Sequence, residues 1–224
     1  MKKLFAVLLF ATAAAPAYAY LDYTPLMSVG TWNNNANVYI DEWQKHIRKG
    51  GAAAPAAQRS TVIEVRAAGP TESKLAAAYP AAQRAEAQRV FDVLLAQFAQ
   101  VEQHFGLPHH DYASAVATFI TGSFEAYHDI SIEPSHFKAL VSQMQQLIGS
   151  NAAFAKASNA EKQDSYEQLA IIGMFMAGVQ SELQRSPNPR LAASMKQAAK
   201  GNLEQFLKTD ADRIGISARG LEIR

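Results

Sequence analysis

Leu169 to Val179 reads LAIIGMFMAGV, eleven consecutive residues without a polar side chain. A helix that is apolar on every side must be buried on every side. Eleven residues are also too few for a bilayer, whose hydrocarbon core takes about 20. The run therefore predicts a central helix enclosed by others. Gly173 and Gly178 within it let neighbouring backbones approach, at a propensity cost of about 1 kcal/mol each relative to Ala. Buried aliphatic and aromatic side chains contribute roughly 1.5–3 kcal/mol each, so the segment absorbs that loss.

Flanking segments supply the enclosing faces. After Pro80, the residues Val90, Leu94, Phe98, Val101 and Phe105 follow helical spacing, and Gly106 and Pro108 stop that helix. Asp111 caps a second, with Val116, Ile120, Phe124 and Tyr127 as its stripe. Pro134 opens a third, which presents Phe137, Leu140, Val141, Met144, Leu147 and Ile148 and ends at Gly149. Ser158 and Glu161 form a capping box for the helix that carries the oily run to about Gln184. Asn188 and Pro189 open the last, through Leu191, Met195, Ala198, Phe206 and Leu207. The expected fold is all-α, a bundle of about five main helices around a buried central one. Two pieces carry short-strand patterns: Thr61 to Val65, and a tail with Ile214, Ile216, Leu221 and Ile223 broken by Gly215 and Gly220. They predict a minor strand pairing near the C-terminus, with the first piece a candidate partner for the tail.

The N-terminus reads as an address. Lys2 and Lys3 precede an apolar stretch from Leu4 to Ala15, and Ala17-Tyr18-Ala19 is an A-x-A cleavage site. Residues 1–19 are expected to be a cleaved secretory signal, an uncleaved anchor being the alternative. Residues 20–70 form an aromatic and Asn-rich arm and linker, and residues 71–224 the helical domain. Trp32, Tyr39 and Trp43 in the arm are candidate partner-binding residues; their other reading is packing onto the helical body. A short helix is expected from Asp41 to Arg48, and GGAAAPAA at 50–57 reads as a linker.

Charge and cysteine content exclude several classes. Lys and Arg number 21 against 20 Asp and Glu, whereas nucleic-acid binders concentrate positive charge on one face. Without cysteine there is no disulfide, thiolate nucleophile, iron–sulfur cluster or lipid-attachment thiol. An exported form must therefore take its stability from packing.

The run Tyr166-Glu167-Gln168-Leu169-Ala170-Ile171-Ile172-Gly173, then Asn202-Leu203-Glu204-Gln205-Phe206-Leu207 and the tail from Asp210, resembles an uncharacterised family of exported bacterial all-helical proteins. The resemblance covers roughly residues 80–224 and leaves out the aromatic arm. It implies a fold and a compartment, and brings no activity with it.

Chemistry is sparse. His104, His109, His110, His128 and His136 cluster in sequence, and Glu-x-x-His spacing occurs at Glu125/His128 and Glu133/His136. Residues three apart share a helix face, so a carboxylate and an imidazole can grip one metal ion. About 0.3 such spacings arise by chance in this composition, so two is a mild excess. Glu133 precedes Pro134 and belongs to a helix start. The candidate metal ligands are Glu125 and His128 with His109, His110, Asp111 or Asp129 as helpers, for a transition metal such as zinc, iron or copper. Solvated histidines near helix ends are the competing reading, with Glu102 and Glu167 as further carboxylates of unknown convergence. No catalytic residue is assigned: there is no G-x-S-x-G elbow and no glycine-rich phosphate loop, and Thr118, Thr121 and Ser123 are expected to bond back to helix carbonyls.

The functional expectation is a periplasmic or secreted, non-enzymatic protein acting by protein–protein interaction: an adaptor, an inhibitor or immunity-type protein, or an accessory subunit. It has no cofactor, no nucleic-acid partner and no membrane span after signal cleavage. A metal-binding helical protein is the alternative.

Overall fold

Local chemistry sets the helix boundaries. The Asp111 carboxylate accepts the Ala113 amide, Ser158 and Glu161 cap each other's backbone reciprocally, and Asn188 accepts from Leu191. Pro134 and Pro189 sit in first turns, where no amide is missed. Gly106 ends its helix at φ 66°, a left-handed conformation that glycine adopts without strain. The computed structural model describes residues 59–66 and 71–224. The expected signal segment, the arm with Trp32, Tyr39 and Trp43, the 41–48 helix and the 50–57 linker lie outside the described residues.

Among the described residues the chain forms α1 (Thr71–Ala76), α2 (Arg84–Phe105), α3 (Tyr112–His128), α4 (Pro134–Gly149), α5 (Ala152–Lys156), α6 (Asn159–Arg185) and α7 (Pro189–Leu207), then β1 (Ile214–Ser217) and β2 (Gly220–Ile223). The five long helices are those the periodicity predicts. α1 and α5 are additions; Asn151 caps α5 by accepting the Ala153 and Phe154 amides, a short-range signal easily lost after Gly149. None of the described helices is long and apolar enough to cross a membrane.

The oily run lies in α6 and is buried throughout, with Ala177 alone half-exposed among its residues. A second helix is almost as enclosed. On α3 all residues from Tyr112 to Ile120 are buried, as are Gly122, Ser123, Phe124, Ala126 and Tyr127. The centre is therefore a pair of helices rather than one. The two touch backbone to backbone: a Cβ on Gly173 would stand 2.6 Å from the Phe119 nitrogen, and one on Gly122 2.3 Å from the Gly173 carbonyl oxygen. Gly173 provides the close approach expected of it, and its counterpart is Gly122 on the facing helix. A hydrogen bond of 2.8 Å between the Tyr112 and Ser165 hydroxyls joins the same two helices. Around them, α7 covers α3 with Phe206 against Phe119, rings 4.9 Å apart. α2 covers α6 with Phe98 against Tyr166 at 5.7 Å, and α4 packs on α3.

The strand expectation needs one correction. The tail pairs with itself, as an antiparallel hairpin in the register Ile214↔Ile223 and Ile216↔Leu221. A two-residue connection closes it, which costs far less chain entropy than recruiting a distant segment. Gln143 of α4 holds β2, donating to the Leu221 carbonyl at 3.1 Å and accepting the Leu221 amide at 2.7 Å. Thr61 to Val65 instead docks at the start of α3, where Val62 bridges to Asp111.

Gly173→Ala tests the central crossing. Helix propensity alone would favour the alanine by about 1 kcal/mol, yet overpacking against backbone costs roughly 1–3 kcal/mol. Urea unfolding is expected to show net destabilisation; an unchanged or raised midpoint would mean the helices are not in contact there.

Candidate functional site

Buried polar groups gather at the two ends of α3, and the two groups differ in how well they are satisfied. At the N-terminal end, Asp111 is fully buried. It accepts from the Ala113 amide at 3.2 Å, the Ser114 hydroxyl at 3.0 Å, the Gln145 amide at 2.7 Å and the Thr61 hydroxyl. Glu102, equally buried on the last turn of α2, accepts the His110 and Asp111 amides, each at 3.1 Å. The Tyr166 hydroxyl stands 3.5 Å from it, as does His109 Nδ1. Burial outweighs these donors and pushes Glu102 up to about 7, with the Asp111 charge adding to the effect. The same cluster seats the N-terminal segment, since Ile63 donates to the His110 carbonyl and Tyr112 to the Thr61 carbonyl, both at 3.0 Å. Asp111 and Glu102 are met by donors, whereas one oxygen of neighbouring Glu167 is buried without a partner. The cluster is a structural clasp joining the α2–α3 loop, α4, α6 and residues 59–66.

The sequence-selected ligands fall at opposite ends of α3, which is roughly 25 Å long. His109 and His110 sit in the loop before it, rings 5.9 Å apart. Burial holds the His110 imidazole below its usual value, with the His109 charge a smaller contribution. Glu102 and Glu167, whose convergence the sequence left open, both act on this corner: each raises Tyr166, after burial as the main cause. At the other end, His128 packs its ring on Phe124 at 4.4 Å and Tyr127 at 4.8 Å. Its Nε2 is buried without a partner, and burial lowers its pKa. Asp129 is occupied by the Gln180 amide at 2.6 Å. Among the described residues, no group of three or more His, Cys, Asp or Glu side chains is placed to hold a metal ion.

Glu125 belongs to a different environment. It lines a cavity of about 100 Å³ where α3, α6, the end of α2 and the loop leading into α4 meet. Thr118, Thr121, Gly122 and Glu125 form the α3 wall, and Met174, Ala177 and Ser181 face it from α6. Both sets follow the three-and-four spacing of one helix face. Val101, Phe105 and Phe137 add apolar wall, Gln180 and Gln184 of α6 add neutral amides, and exposed Ser131 and Pro134 lie at the rim. Space exists because Gly122 and Ala177 bring almost no side chain. That also explains why Ala177 interrupts the burial of the oily run.

Polar groups in this cavity are poorly matched. Glu125 Oε1 accepts the Ile132 amide at 2.8 Å. Burial pushes its carboxyl up to about 7, with that one amide pulling the other way. The Thr118 and Thr121 hydroxyls are buried and have no hydrogen-bond partner. The expectation that they bond back to helix carbonyls is not met. The sequence pointed to Glu125 through its spacing with His128; the informative spacing was Thr118, Thr121 and Glu125. An apolar chamber with a few unsatisfied polar groups is the usual form of a small-molecule site.

The raised Glu125 fixes the sign of a pH effect. Between pH 4.5 and about 7 the folded state holds a proton that the unfolded chain has released, so stability falls as pH rises through that window, by up to roughly 3 kcal/mol for this group. Glu125→Gln keeps an acceptor for Ile132 and removes that contribution. Its melting temperature is expected to exceed the parent's at pH 8 and to converge with it below pH 4.5. Parallel pH profiles would place the carboxyl in water. Glu102 remains in both proteins and contributes the same sign.

No curated protein and no solved structure matches the chain significantly. A family model matches it over residues 2–224, a span that includes the aromatic arm left out of the sequence resemblance. The chain accordingly belongs to the Family of unknown function (DUF6683).

Proposed function

We propose that this chain is an exported, non-enzymatic binding protein whose helical body accepts a small apolar ligand between α3 and α6. The carrying observation is the cavity beside Glu125, with its two unpartnered threonine hydroxyls. A buried hydroxyl without a partner costs roughly 1–3 kcal/mol, so such groups are kept where something else satisfies them. The same wall offers no nucleophile paired with a base: the described hydrogen bond of Glu125 is to a backbone amide. Export is supported by the Lys2-Lys3 start, the apolar stretch and the Ala17-Tyr18-Ala19 site. Metal binding by Glu125, His128, His109 and His110 draws no support from their separation along α3.

A second reading, interaction with another protein through Trp32, Tyr39 and Trp43, is favoured by one observation. Residues 59–66 are fastened to the body by Arg59 donating to Gly149, by the Thr61 and Ile63 backbone bonds and by the Thr61–Asp111 contact. Arg59 is thus held at a fixed corner, beside the end of α4. Tryptophan and tyrosine are the side chains that most often anchor protein interfaces.

Thermal denaturation with toluene or indole tests the first reading. A ligand at 100 times its Kd is expected to stabilise by about 2.7 kcal/mol, and Ala177→Phe, which fills the cavity, should abolish the shift. No shift with the parent protein rejects the reading. Deleting residues 20–57 tests the second: helical circular dichroism and melting temperature should be nearly unchanged while partner capture is lost. A large fall in melting temperature would make the arm part of the core.

A further inference from the structure

We propose that the ligand of the α3–α6 cavity is a small organic cation, an apolar body carrying one ammonium group that sits against the Glu125 carboxylate. This rests on the cavity reading above and assigns the chemistry of its occupant.

The charge inventory makes the argument. Of the residues lining the cavity, Glu125 is the only one with a formal charge. Among the described residues, no Lys, Arg or His nitrogen forms an ion pair with it, although seven ion pairs are formed elsewhere. His128, the nearest basic neighbour in sequence, packs on Phe124 and Tyr127. A carboxylate lacking an opposite charge in such a place keeps its proton instead of ionising, which is why burial pushes Glu125 up to about 7. An ammonium supplies the missing positive charge and up to three donors. The acceptor for it is the Glu125 carboxylate on the cavity wall. A carboxylate or phosphate ligand would face like charge at Glu125, and none of the lining residues is basic; Lys138 stands outside the wall, its Nζ 6.0 Å from the Phe105 ring centre.

Burial along the cavity orients the occupant. Thr118 is 6% exposed, Thr121 and Glu125 are half-buried, and Ser131 beyond them is exposed. The polar head therefore lies toward the rim, and the apolar body points inward toward Val101, Met174 and Phe137. A chamber of about 100 Å³ belongs to the size class that accommodates one ring or a short branched chain.

Three isosteric probes separate the possibilities: benzylamine, benzyl alcohol and benzoate, titrated calorimetrically into the full chain at pH 8, above the value to which burial raises Glu125. Benzylamine is expected to bind about tenfold more tightly than benzyl alcohol, in keeping with a charge-assisted contact, and benzoate weakest. Glu125→Gln, which preserves the acceptor for Ile132, should erase the preference for the amine while leaving benzyl alcohol within about twofold of its parent affinity; circular dichroism and melting verify its fold. Benzoate binding as tightly as benzylamine, or an amine preference retained in Glu125→Gln, overturns the proposal. Equal affinity for the amine and the alcohol overturns the cation assignment and leaves the cavity reading standing. Failure of all three probes overturns both.

Discussion

The contact between Gly122 and Gly173 governs the rest of the architecture. Two helices normally pack with axes 8–10 Å apart, held off by side chains. Here each glycine stands where a Cβ would collide with the other helix's backbone. Such proximity buries both helices, so α3 encloses small residues between the bulky ones of its stripe, Phe119, Ile120 and Phe124. Its alanines, serines and threonines pack because they are small, and dispersion over many close contacts replaces the area that leucine would bury. The same contact creates the cavity. Gly122 is both a crossing residue and part of the cavity wall, and Ala177, whose backbone nitrogen would stand 3.3 Å from a Cβ on Gly122, lines the same wall with a single methyl.

The two ends of α3 show what distinguishes a structural polar cluster from a binding one. Asp111 receives four donors from four residues, and Glu102 receives two amides. Both carboxylates are occupied by the protein itself, and their duty is to fasten loop, helix and N-terminal segment together. Glu125 receives one amide, and the hydroxyls nearest it on the helix receive nothing. Glu102 and Glu125 are both pushed up to about 7 by burial, so the shift alone does not separate them. The presence of open volume and unmet hydrogen-bonding capacity beside one of them does.

What the sequence disclosed, and what it concealed, follow from the same physics. Leu169 to Val179 announces its burial because every side chain is apolar, and the caps at Asp111, Ser158 and Asn188 are local events legible within four residues. The burial of α3 is hidden, because Ser114, Thr118 and Ser123 count as polar in any hydropathy pattern yet are small enough to be enclosed. Docking of Thr61 onto Asp111 spans 50 residues, and nothing local announces it. Glu125 and His128 lie in different surroundings for a geometric reason. Residues three apart on a helix are about 60° apart around its axis. Each leans toward its neighbour four residues earlier, His128 to Phe124 and Glu125 to the Thr121 face, so the pair divides between adjacent stripes.

Glu125 also couples the cavity to the chain reversal after α3. Asp129 adopts a left-handed conformation at φ 54° and is held by Gln180 of α6. Ile130 donates to the Glu125 backbone carbonyl at 3.2 Å, and Ile132 to its side chain at 2.8 Å. One residue thus fixes the turn through both its backbone and its carboxylate. A ligand that drew on Oε1 would compete with Ile132 and loosen the loop carrying Ser131 at the rim. A ligand that drew on Oε2 would add to the carboxylate's partners without disturbing the turn. The second arrangement is the lower in free energy, since it gains a hydrogen bond without losing one. The loop is thereby set in place before any ligand arrives, and little ordering entropy remains to oppose binding.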